Sequence, residues 1–150
     1  MTKRMTMSEI EINQLTGRII GACIEVHKSL GPGLLESVYF ECLCKELQFR
    51  SISYLREVNI PIIYKGSECK SNYRADLVVE DTVIVELKAV KDILPIYEAQ
   101  VMTYLTLANL PLGLLINFNV PLLKEGIKRI RLNYGTLSNH DLDKLILENS

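Results

Sequence analysis

The sequence predicts a mixed α/β sandwich, a central sheet of about five strands flanked by helices. Three observations carry it. Two amphipathic helical stretches open the chain, three strand-like runs follow through its middle, and a helix then separates the third strand from a fourth. A helix at that place makes a crossover connection between strands three and four.

Residues 8 to 29 read as a helix. Ile12, Leu15, Ile19, Cys23 and Val26 recur at three- and four-residue intervals, and Ser8 with Glu11 forms a capping-box pattern. Gly31-Pro32-Gly33 stops it. A second helix runs from about Leu34 to Phe49, with Leu35, Val38, Cys42, Leu43 and Leu47 on its apolar face. Ser53 to Tyr64 mixes β-branched and aromatic residues around Pro61, which suits an edge or a bulge. Lys65-Gly66-Ser67 turns the chain. Asn72 to Val79 and Val83 to Val90 form the next two strands around Glu80-Asp81-Thr82. Pro95 begins a third helix that runs through about Asn109 and is closed by Leu110-Pro111. Gly113 to Phe118 is a short buried strand, and Ile127 to Asn133 alternates apolar and basic residues like a half-exposed edge strand. A last helix starts near Asn139.

No Gly/Ser/Pro-rich linker or charge run divides the 150 residues, so residues 1–150 read as one domain with 1–7 as a tail. No apolar run approaches the length of a membrane span. The basic pair in MTKRMTMSEI has no apolar segment behind it, so no signal peptide and a cytoplasmic location are expected. Cys23, Cys42, Cys44 and Cys69 contain no C-x-x-C pair and read as free, mostly buried thiols rather than a zinc or iron–sulfur site. The net charge of −1 and pI near 6.1 argue against holding nucleic acid by bulk electrostatics. A nucleic-acid role therefore needs a local patch, a homodimer or a protein partner.

The chemistry concentrates in RADLVVEDTVIVELKAV, residues 74 to 90, where Asp76, Glu86 and Lys88 interrupt a very apolar hairpin. Burying a lone carboxylate costs several kcal/mol, about 2–7 even for milder polar groups, unless it is compensated. Glu86 and Lys88 share a strand face. A three-residue loop at Glu80-Asp81-Thr82 pairs Val79 with Val83 and sets Asp76 opposite Glu86. A two-residue loop sends Glu86 to the other face, and the apolar pattern does not choose between them. Two opposed carboxylates in a sheet repel unless a cation stands between them, and oxygen ligands suit Mg²⁺ or Mn²⁺. Metal-activated water is what phosphodiester hydrolysis requires. A solvated carboxylate pair with a Lys salt bridge is the competing reading.

Gln100 and Tyr104 lie four apart on one face of the third helix, and Glu36 and Tyr39 three apart on the second. Asp76, Glu86-Leu87-Lys88 and Gln100-x-x-x-Tyr104 resemble the D…(D/E)-x-K…Q-x-x-x-Y signature of the PD-(D/E)XK nuclease superfamily. Gly33-Leu34-Leu35-Glu36-Ser37-Val38-Tyr39 is similar to the motif that names its GxxExxY family, and the similarity runs from about Ile10 to Leu132. The resemblance implies a restriction-endonuclease-like core and a divalent-metal-dependent nuclease acting on DNA or RNA. It implies Asp76, Glu86 and the Leu87 carbonyl as ligands of Mg²⁺ or Mn²⁺, with Glu36 completing or supporting the set. Lys88 would orient the attacking water, and Gln100 and Tyr104 would position Lys88, the water or a phosphate. Ala75 departs from the superfamily's Pro before the Asp, which leaves activity open.

Several residues carry two readings. Arg74, on the face of Asp76, is a phosphate contact or an exposed strand-end Arg. His27 suits the negative end of its helix better than a ligand role. Lys124, Lys128, Arg129 and Arg131 track a nucleic-acid backbone or guard a strand edge, the second being preferred. Tyr39 and Tyr54 stack on bases or pack, Tyr39 beside Glu36. Two functions follow: a metal-dependent nuclease, or a catalytically inactive nuclease-like module that binds nucleic acid or protein.

Overall fold

A computed structural model describes residues 7–132, so the helix expected from Asn139 lies outside the described residues. The elements are α1 (Glu9–Leu30), α2 (Glu36–Phe49), β1 (Tyr54–Tyr64), β2 (Ser67–Val79), β3 (Val83–Lys88), α3 (Pro95–Ala108), β4 (Leu112–Asn117), a 3₁₀ turn (Leu123–Gly126) and β5 (Ile127–Arg131). The five strands form one mixed sheet in sequence order. β3 and β4 run parallel, as α3 requires by crossing between them, and the other neighbours are antiparallel. This is the mixed α/β architecture of a restriction-endonuclease-like core.

Helix α1 begins where its sequence says. The Ser8 hydroxyl accepts from the Glu11 amide at 3.1 Å and donates to the Glu11 carboxylate at 3.0 Å. It ends at Gly31, whose φ of 70° continues no right-handed helix and whose N–H closes onto the His27 carbonyl at 2.7 Å. Met7, expected in the tail, packs against the core and accepts a contact from the Thr82 hydroxyl at 3.1 Å.

Helix α2 departs from expectation in two ways. It starts at Glu36 rather than Leu34, because the buried Tyr39 hydroxyl holds the preceding turn in an extended shape. It also buries Tyr39, Leu43, Cys44 and Leu47, while Val38 and Leu35 stay exposed. The i, i+4 series from Tyr39 meets the sheet. The series through Leu35 and Val38 does not.

Pro61 stands at a register shift in β1, an edge strand, as expected. β2 starts five residues earlier than predicted, at Ser67 instead of Asn72. Lys65 and Gly66, with φ of 50° and 79°, make the tight turn, and Ser67 to Arg74 are exposed on both faces, so no alternation announces them. β3 stops at Lys88, not Val90. The side chain of Asn117 takes over there, accepting from the Val90 amide at 3.0 Å and donating to its carbonyl at 2.9 Å.

Two cores lie on the two sheet faces. Leu77, Val79, Val83, Val85, Leu87 and the matching β4 residues pack on α1 and α2. Ala75, Val78, Ile84 and Leu115 pack on α3 through Val101, Tyr104 and Leu105. Gly113 lets α3 sit that close, since a Cβ there would fall 2.5 Å from Val101 Cγ1. Cys23 and Cys44 are buried free thiols, with burial pushing Cys23 up to about 12, whereas Cys42 is half-buried and Cys69 exposed. Among the described residues no helix is long and apolar enough to cross a membrane.

Candidate active site

The hairpin adopts the three-residue loop. Val79 pairs with Val83, Val78 with Ile84 and Leu77 with Val85, so Asp76 and Glu86 come next in register. Glu80 and Asp81 take φ of 50° and 51°, and Thr82 closes the turn through its amide to the Val79 carbonyl at 3.0 Å. The regular ladder stops at Leu77–Val85. In its place the Asp76 amide donates to Glu86 Oε1 at 2.7 Å, and Asp76 Oδ2 accepts from the Leu87 amide at 2.8 Å. Two side-chain carboxylates thus fill the opening where the strands part.

The face pattern breaks at the same place. Leu77 packs toward α1 and α2, whereas Ala75, two residues earlier, packs toward α3. On β1 the residue across from Asp76, between the pairs Arg56–Leu77 and Val58–Ala75, is Glu57, at φ 51°. Asp76 therefore sits at a twist in the sheet and reaches groups from both helical layers.

Electrostatics follow from this crowding. Glu86 is only 5 % exposed, and burial first, then the Asp76 charge, pushes its carboxyl up to about 8 against the pull of the Asp76 amide and Lys88. Burial also raises Asp76, opposed by the Leu87 amide and Lys88 and helped by Glu57. Glu36, exposed at the first turn of α2, rises through partial desolvation and the charge of Asp76, against Lys88. All three carboxyls are short of positive charge.

The turn that leads into Glu36 is held by Tyr39. That ring is fully buried, stacks on Phe118 with centroids 4.6 Å apart, donates from its hydroxyl to the Gly31 carbonyl at 2.5 Å and accepts from the Leu34 amide at 3.2 Å. The Gly33-to-Tyr39 motif is thus a clamp on the turn that delivers Glu36. Tyr39 has no face left for a base. Tyr54 is engaged too, accepting from Gln48 at 2.7 Å.

From α3 come Gln100 and Tyr104. Burial and then the charges of Glu86 and Asp76 push Tyr104 up to about 12, and Gln100 beside it pulls the other way. Tyr73 of β2 leans on Tyr104 with centroids 5.9 Å apart. Lys88 Nζ stands 4.5 Å from the centre of the Tyr97 ring, a cation–π contact. Leu87 contributes its amide to Asp76. All six side chains singled out in the sequence, together with Leu87, gather at the end of β3.

The model of the PD-(D/E)XK nuclease superfamily matches residues 13–130, most of the chain and every residue of this cluster. The chain belongs to the PD-(D/E)XK nuclease superfamily. No curated protein and no solved structure matches the chain significantly. The superfamily match supports a nuclease-like function, and nucleases of this superfamily are generally dependent on a divalent metal.

For this PD-(D/E)XK chain three neighbours of the site went unread in the sequence. Tyr97 was legible, lying three before Gln100 and seven before Tyr104 on one helix face. Glu57 gave no signal, since its place depends on a positive φ inside a strand. Asn117, 2 % exposed and paired in register with Lys88, stood at the end of an apolar run. Other candidates are placed away from the chemistry. His27 is buried, with Nε2 bonded to the Val120 carbonyl at 2.8 Å, so its fixed partner and not the helix dipole alone holds it. Arg74 is exposed, and the charges acting on Asp76 are those of Lys88 and Glu57. On β5, Lys128 meets Glu98 at 3.6 Å, Arg129 meets Asn13 and Arg131 meets Glu9, which suits a guarded strand edge.

Proposed function

We propose that the chain is a divalent-metal-dependent phosphodiester hydrolase acting on DNA or RNA. The observation that carries this reading is the Asp76–Glu86 pair, two mostly buried carboxylates set side by side with Lys88 next to them. Natural sheets avoid such a pair unless a cation relieves it. Among the described residues no three His, Cys, Asp or Glu side chains converge closely enough to hold a metal ion by themselves. The donor set fits one nonetheless: two carboxylates and the Leu87 carbonyl are hard oxygen ligands of the kind Mg²⁺ or Mn²⁺ takes, with waters filling the rest.

In this reading Asp76, Glu86 and Leu87 hold the ion, and Glu36 supports the set from α2. When bound, the ion supplies an acidified water and neutralises charge on the phosphate. Lys88 orients that water, or takes its proton, and the Tyr97 ring restrains the Lys88 side chain. Gln100 and Tyr104 position Lys88, the water or a substrate oxygen. The Tyr104 hydroxyl keeps its proton at neutral pH and so serves as a hydrogen-bond donor.

A second reading, a catalytically inactive nuclease-like module, is favoured by one observation. The cations of β5 are engaged with Glu98, Asn13 and Glu9 and so offer little grip on a polyanion. Incubation of pure protein with single- and double-stranded DNA and RNA plus Mn²⁺ separates the two. Cleavage that Lys88→Ala abolishes supports the nuclease. Binding that survives Asp76→Ala and needs no metal, with no cleavage, supports the module.

A further inference from the structure

A cleft of about 510 Å³ opens between the end of α1 and the segment that follows β4. Ile24, His27 and Lys28 form one wall, Leu122 and Lys124 the other, and Pro32 lies at the junction. Its walls are fixed before any ligand arrives. His27 must donate from Nε2, because its partner at 2.8 Å is the Val120 carbonyl, and this bond ties α1 to the opposite wall. Gly31, beside Pro32, is held by the Tyr39 hydroxyl.

Both walls lead to the active site. Gly31 and Pro32 run into Glu36. Pro121 follows Asn117 by four residues, and Asn117 is the register partner of Lys88. A chain spans at most about 3.5 Å per residue, so that wall begins within about 14 Å of the strand end that carries Lys88. The cleft thus opens off the same two chain segments that lead into Glu36 and follow the register partner of Lys88.

Charge marks the occupant. Among the described residues, the cation acting on Glu36, Asp76 and Glu86 is Lys88, outnumbered by carboxyl groups, so without its ion the site offers a polyanion little attraction. The strand-edge cations of β5 are taken. Lys28 and Lys124, exposed on the two walls, have no carboxylate partner among the described residues. Ile24 and Leu122, 46 % and 50 % exposed, give the same cleft apolar surface. Two cations with apolar surface between them match one phosphate and one base. A base inside a duplex is stacked and paired, and only an unpaired strand offers its face to such a cleft.

We propose that this cleft binds the nucleotide flanking the scissile phosphate of an unpaired strand, with Lys28 and Lys124 on its phosphate and Ile24, Pro32 and Leu122 against its base. The proposal rests on the nuclease reading of Asp76, Glu86 and Lys88 for the word scissile alone. The test compares wild type with the double variant Lys28→Ala/Lys124→Ala on labelled single-stranded and duplex oligonucleotides. Cleavage is followed with Mn²⁺, and binding by fluorescence anisotropy with Ca²⁺ over a range of salt. In the double variant KM should rise at least about tenfold with kcat within about twofold. The log–log salt slope should become shallower by about 0.7, the value for the one phosphate that the two lysines neutralise on a single strand. Unchanged KM and slope, or a wild-type preference for duplex, overturns the proposal. Failure of the nuclease reading looks different: single strands bind with the same lysine dependence and are never cut. A wild type that binds no oligonucleotide overturns both.

Discussion

Asp76 and Glu86 hold each other through the backbone: the Asp76 amide donates to Glu86 Oε1 at 2.7 Å, and Asp76 Oδ2 accepts from the amide next to Glu86 at 2.8 Å. The two carboxylates replace the ladder bonds that the parting strands give up. Each is thereby fixed in place, and in each the poorly solvated opening disfavours the charged form. That conflict is the source of the first two expectations.

Burial and the Asp76 charge raise Glu86 from 4.5 to about 8 in the folded protein. Between those values the native state holds a proton that the unfolded chain has released. The contribution to stability is complete below about pH 4.5 and is lost as pH rises through 8. Asp76, also raised, acts in the same direction. In the presence of a chelator, Tm should fall across this window by an amount equivalent to a few kcal/mol, on the order of 1.4 for each pH unit. Glu86→Gln cannot titrate yet keeps an oxygen for the Asp76 amide, so its profile should be flatter. Calorimetry from pH 5 to 8.5 reads this directly, and parallel profiles would show that Glu86 is not the group concerned.

The proposed ion should compete with that proton. At pH 7, Mn²⁺ binding should release protons, seen as an apparent binding enthalpy that changes with the ionisation enthalpy of the buffer. With the ion at 100 times its Kd, stability should rise by about 2.7 kcal/mol, or roughly 5–10 °C in Tm for a chain of this size. Asp76→Ala should remove both effects. A Tm indifferent to Mn²⁺ at millimolar concentration would count against a metal site here.

Much of this geometry was readable in the sequence, for a definable reason. Ser8 and Glu11, the Gly31 stop, Pro61 at a register shift and the α3 crossover all act through neighbours in the chain, and short-range rules see them. The Asp76–Glu86 encounter needed one more fact, the loop register, and the apolar pattern withheld it because both faces of the hairpin are buried. The exposed arm of β2 was missed because neither face is buried. Helix α2 was rotated in the reading because Tyr39 chooses its burial through Phe118 and Gly31, contacts that no periodicity contains. Glu57 lay out of reach for the same reason: a positive φ in a strand is imposed by the sheet, not by the residue.

Tyr39 makes a separable claim about that clamp. Tyr39→Phe keeps the stacking on Phe118 but loses the bonds to Gly31 and Leu34, leaving two polar backbone groups to find other partners. The cost should be about 1–3 kcal/mol in urea unfolding. Loosening of the 31–35 turn should also displace Glu36, so kcat should drop in Mn²⁺ more than the stability loss explains at 20 °C, where the fold is intact. An unchanged kcat would leave Tyr39 a purely structural residue.

Tyr97 makes the sharpest claim about Lys88. The ammonium 4.5 Å above the ring is restrained by the π face and not by the hydroxyl, so ring and hydroxyl separate under substitution. Tyr97→Phe should retain nearly full activity. Tyr97→Leu should lose a contact worth about 0.5–2 kcal/mol and free the Lys88 side chain to leave the carboxylates. If Lys88 acts mainly in the transition state, that loss appears in kcat, as a drop of roughly 2- to 30-fold, with KM little changed. A fall in KM affinity without loss of kcat would instead place Tyr97 on the substrate. Equal losses in Tyr97→Phe and Tyr97→Leu would give the role to the hydroxyl and not the ring.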